Sequence, residues 1–126
     1  MPAQASSIYG GAVMNMNISD LEPRYEASTV AMSQKSATFT SNALNLGCRA
    51  VKIEPVFESK DVVCDIELYK VVNNVDILVK AWTGLTPGHS VYAGNFEFIN
   101  LDGLPIKVKL VSVTGGWVTI NVLPMA

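Results

Sequence analysis

Apolar and polar residues alternate along most of this chain with the period of a β-strand, and they do so most clearly between Pro105 and Leu123. Gly115-Gly116 separates two alternating runs there, and a Gly-Gly pair supplies the positive φ angles of a tight turn. The spacing predicts a hairpin with Val113 opposite Val118 and Val111 opposite Ile120. Ile106 and Val108 fall on the other phase, so a β-bulge is expected at Leu110–Val111 to restore register. A second hairpin is predicted from Val62 to Trp82 around Asn73-Asn74. Its two-residue turn pairs Leu68 with Val79 and Ile66 with Ala81 on the core face. Glu67 then faces Lys80 across the ladder.

Further strands are predicted over Thr29–Ser33, Ser36–Thr40, Arg49–Phe57 and Asn95–Leu101. Pro55 cannot donate to a ladder, so its strand either ends there or lies at an edge. Gly84–Gly94 reads as a loop, and Asp102-Gly103 as a turn. Short strands at this spacing predict an all-β protein. It is an antiparallel β-sandwich or jelly-roll of about seven to eight strands.

The first 34 residues differ, with no sustained period and one short capped turn at most near Ser19-Asp20. They read as an extended N-terminal arm ahead of a sandwich domain over 35–126. Tyr9, Met14, Met16, Leu21 and Tyr25 are too apolar for a solvated tail and are its candidate partner-binding anchors.

Composition narrows the function classes. The 126 residues are 49% hydrophobic and 16% charged, which suits one folded domain whose surface is either partly covered by partners or simply tolerant of apolar residues. A net charge of −2 without a basic run argues against nucleic acid. No apolar run reaches the length of a membrane helix, and the N-terminus does not read as a secretory signal. The two cysteines form no disulfide framework. Cys64 is in phase with Ile66 and Leu68, as a buried thiol would be, and a Cys48–Cys64 bridge stays open.

Catalytic templates find no match. His89, the sole histidine, sits in a Pro-Gly-His-Ser loop without companions for a zinc set, and Ser90 beside it has no nucleophile elbow. Asp61, Asp65, Glu67 and Asp76 cluster along one hairpin, where a solvated face explains them better than a glycosidase pair or a calcium loop. No catalytic residue, metal or cofactor is expected. Trp82, Tyr92 and Trp117, with Tyr69 expected on the same polar face as Trp82, are the candidates for a glycan- or receptor-binding platform. Capping the ends of the core is the plainer role for such residues.

The segments SNALNLGCRAVKIEPVF, DVVCDIELYK, VDILVKAW and NFEFINLDGLPIKVKLVSVTGGWVTINVLPM carry a family resemblance. Phe98, Asn100, Asp102, Gly103 and Pro105 fit an F-x-N-x-D-G-x-P turn, and a G-G-W-V-T closing segment follows, with Thr114 in place of a serine. From Ser36 to Met125 the chain resembles small β-sandwich virion proteins of tailed phages, of the capsid decoration or cement type. The resemblance implies a non-enzymatic virion component made in the host cytoplasm, a homotrimer bound to the major capsid protein or other virion proteins. The terminal arm would tie neighbouring subunits together. The alternatives are a carbohydrate- or receptor-binding module and a phage neck or tail component.

Overall fold

The computed structural model describes residues 28–94 and 101–125, and they are all-β. Eight strands follow one another: β1 (Thr29–Lys35), β2 (Phe39–Thr40), β3 (Ala50–Phe57), β4 (Val63–Val72), β5 (Val75–Leu85), β6 (Val91–Gly94), β7 (Ile106–Thr114) and β8 (Val118–Met125). They form two antiparallel four-stranded sheets, ordered β1-β8-β3-β6 and β2-β7-β4-β5. Seven connections join the strands, and only β4–β5 links neighbours in one sheet. These orders are those of an eight-stranded jelly roll, in which consecutive strands pass from sheet to sheet.

Period-2 alternation puts one face of each sheet inside. Val51 and Ile53 of β3, Cys64, Ile66 and Leu68 of β4, Ile106, Val108 and Leu110 of β7, and Val118, Ile120 and Val122 of β8 are buried together. Met32 of β1 joins them, so Thr29–Lys35, which overlaps the stretch assigned from sequence to the arm, is part of the sandwich. Pro55 does not end β3. The strand runs on to Phe57, paired with β8 alone, because β6 stops opposite Ile53 and leaves the proline side without a neighbour.

The expected hairpin from Pro105 to Leu123 does not form. β7 pairs with β4 and β2, whereas β8 pairs with β3 and β1, so Gly115-Gly116 carries the chain across the sandwich. The tightness of that crossing explains the glycines. A Cβ on Gly115 would run into the Asp61 carbonyl, and one on Gly116 would come within 2.6 Å of Glu58 Oε1. The β3–β4 connection lies directly against this crossing: Glu58 N donates to the Trp117 carbonyl, and Trp117 N donates to Glu58 Oε1, both at 3.0 Å. The expected bulge is present, but against a different partner. Asp65 pairs with Ser112 and Ile66 with Leu110, so Val111 is the extra residue on β7 and Val113 returns to the core side.

The β4–β5 hairpin forms around Asn73-Asn74, both with positive φ as a type I′ turn needs. Its register departs from expectation after Tyr69–Leu78. Leu68 pairs with Lys80, which leaves Val79 extra, and Glu67 consequently faces Ala81 rather than Lys80. A second bulge follows near Gly84, between the Ile66–Trp82 and Cys64–Leu85 pairs. The Asp102-Gly103 turn forms as expected, closed by Leu104 N donating to the Leu101 carbonyl at 2.9 Å. The strand expected over Asn95–Leu101 falls mostly outside the described residues.

Candidate interaction surface

His89, Asp65, Asp76 and Glu67, singled out for chemistry, have local structural partners. His89 closes its own turn: its N–H donates to the Thr86 carbonyl at 3.2 Å, and its Nδ1 accepts from Thr86 N at 3.2 Å. Asp65 accepts from Gly84 N at 2.8 Å and from Ser112 Oγ at 3.1 Å. Asp76 forms an ion pair with Lys107 at 3.2 Å, and the Glu67 carboxylate accepts the Tyr69 hydroxyl. That hydrogen bond, followed by burial and the neighbouring negative charge, raises the Tyr69 pKa, because it holds the phenolic proton in place. Among the described residues, no three His, Cys, Asp or Glu side chains gather as a metal set.

Both cysteines are buried free thiols, so Cys48 and Cys64 are not bridged. Burial pushes the Cys64 thiol up to about 11 and raises Cys48 as well, since a thiolate is poorly solvated there.

The three described aromatic candidates are not brought onto one face. Trp82 is paired with Ile66 and packs against the core on the inner side of β5, so it does not share the outer face with Tyr69 as expected. The added residue at Val79 causes this, by reversing the facing of every position beyond it. Tyr92 lies on β6 in the other sheet, 43% exposed, with Lys52 Nζ 6.0 Å from its ring centre. Trp117 is half-buried in the β7–β8 crossing. Tyr9, Met14, Met16, Leu21 and Tyr25 lie outside the described residues.

A different surface stands out, and sequence reasoning missed it. β5 is an edge strand of eleven residues. It carries exposed Val75 (58%), Ile77 (41%) and Leu78 (52%). The other three edges are blunted in ways that discourage pairing. Among the described residues β2 has two and β6 four, while β1 is interrupted by two register shifts and by Gln34 at φ +48°. Only β5 among the described edges offers a regularly paired stretch with three exposed apolar residues, Val75, Ile77 and Leu78, ahead of its first bulge. The apolar residues of the VDILV segment were the available signal, but their exposure depends on which strand ends the sheet.

The sequence matches no protein-family model and no curated protein. The fold does have a counterpart. The crystal structure of SPBc2 prophage-derived protein YomS is similar with a TM-score of 0.61, over 92% of this chain and 100% of that one. At 13% identity the likeness is one of fold.

Proposed function

We propose that this chain is a non-enzymatic phage structural protein, a jelly roll that decorates and stabilises a capsid lattice. The observation that carries the reading is the match of nearly the whole chain to the full length of a prophage-derived protein. The jelly roll itself serves both virion shells and lectins, so fold alone does not choose between them. What favours a structural role is the distribution of polar and apolar groups. The interior is apolar, with Ser41 as its buried polar side chain among the described residues, and the Asp65 and Asp76 carboxylates are engaged across strands. Apolar surface lies instead on an open edge strand, where a protein partner rather than a small substrate would meet it.

In this reading the segment before Thr29 is a second attachment, with Tyr9, Met14, Met16, Leu21 and Tyr25 as anchors. Two linked contacts on a repeating lattice raise avidity through effective concentration. The test is co-sedimentation with shells of the major capsid protein from the phage that encodes the chain. The full chain is expected to pellet at a saturating stoichiometry, and a version lacking residues 1–28 to stay folded but pellet at least ten-fold less. A full chain that stays in the supernatant at micromolar concentration would contradict decoration.

A further inference from the structure

We propose that β5 is a homotypic interface, on which a second copy of this chain adds its own β5 antiparallel about a two-fold axis at Ile77. The inference stands independently of the capsid reading. It starts from which backbone groups the edge presents. In a two-residue hairpin the pair flanking the turn, here Val72 and Val75, exchanges hydrogen bonds. The N–H and C=O groups of Asp76 and Leu78 therefore turn away from β4, towards the open side. A copy centred on Ile77 sets each Asp76 against the other's Leu78 and forms about four backbone hydrogen bonds.

The side chains agree with that register. Val75 and Ile77 share the inner face with Val72 and Lys70, their partners on β4, and Val79 packs towards the core from the same side. Two-fold pairing about Ile77 places Ile77 against Ile77 and Val75 against Val79, so a row of β-branched residues meets its own reverse.

Charge excludes the register centred on Asp76, which would set like charges directly opposite. In the favoured one each Asp76, 3.2 Å from its own Lys107, lies opposite the other copy's Leu78 rather than a second carboxylate. A register centred on Leu78 would run Asp76 into Lys80, beyond the Val79 bulge, where regular pairing is lost.

Two measurements on the full chain test this. In a non-hydrogen-bonded antiparallel pair the Cα atoms stand about 4.5 Å apart, within disulfide reach. Under mild oxidation Ile77→Cys is expected to give a covalent dimer at least ten-fold more readily than Val75→Cys, whose copies would lie roughly 13 Å apart along the strand. Cys48 and Cys64 are buried and do not compete. Equal yields would overturn the register. Light scattering is expected to give twice 13.6 kDa for the parent chain at micromolar concentration. Ile77→Lys is expected to give a single chain with an unchanged far-UV spectrum, and Val30→Lys on β1 to leave the dimer intact. A parent chain that is monomeric, or a trimer that survives Ile77→Lys, would overturn the interface.

Discussion

The Asp65 carboxylate accepts a hydrogen bond from the Gly84 backbone N–H at 2.8 Å, and its other oxygen accepts from Ser112 Oγ at 3.1 Å. Asp65 thus ties β4 to both of its neighbours at the places where their ladders are interrupted. Gly84, with φ +67°, belongs to the irregular step of β5, and Ser112 adjoins the extra Val111 of β7. Bulges leave ladder groups without their regular partners, and an acceptor from the middle strand satisfies one of them.

Replacing Asp65 by Ala should therefore cost more than an ordinary surface change. Loss of a charged acceptor serving two donors is expected to destabilise by about 1–3 kcal/mol, and Asp65→Asn by less. Urea unfolding midpoints measure this. A midpoint within error of the parent would show that the carboxylate is merely solvated.

Ser41 acts in a similar way on the opposite side of β7. Its N–H donates to the Val108 carbonyl at 2.9 Å, and its Oγ accepts from Val108 N at 3.0 Å, closing the ladder where β2 has ended. Ser41→Ala would leave a buried N–H without an acceptor. A loss of about 1–3 kcal/mol is expected, while Ser41→Thr should keep part of the bond. Equal stability of the Ala variant would contradict the assignment.

Gly115, in the β7–β8 crossing, and Gly88, in the β5–β6 connection, separate steric from backbone effects. Gly115→Ala meets the Asp61 carbonyl and also holds φ +85°, so about 2 kcal/mol or more should be lost. Gly88→Ala, at φ +93° with nothing near its Cβ, should cost about 1 kcal/mol. Thermal melts of the pair would rank them, and the reverse order would mean that the two connections do not pack as described.

Cys64 links burial to pH. Its thiol is held up to about 11 in the folded chain against a reference of 9.0. Below pH 9 both states carry the thiol and the difference vanishes. Between pH 9 and 11 the unfolded chain ionises while the folded one does not, so stability falls as pH rises, by up to about 1.4 kcal/mol per unit. Cys64→Ala should remove that part of the alkaline slope, and native-state alkylation at pH 8 should be slow until urea is added.

Much of the fold was legible in the sequence because strand alternation is a local signal. The all-β class, the Asn73-Asn74 and Asp102-Gly103 turns and the bulge beside Leu110 follow from phase and turn residues alone. Partner choice is not local. Gly115-Gly116 permits either a hairpin or a crossing between sheets, and the decision rests with Glu58, Asp61 and Val62, more than fifty positions away. The register of β5 was lost at Val79 for a related reason. One added residue preserves the hydrophobic count while reversing the facing of Lys80 and Trp82, so an apparent aromatic platform becomes a core edge. The apolar residues of β5 were visible, but their exposure depends on which strand is last in the sheet.

The central claim is that this jelly roll sits on a virion lattice. Cryo-electron microscopy of capsid shells incubated with the purified chain tests it most directly. The account predicts density for an eight-stranded sandwich at symmetry-related positions on the outer surface, occupied in proportion to added protein. Shells that stay bare at saturating concentration, or density confined to the neck or tail, would contradict it.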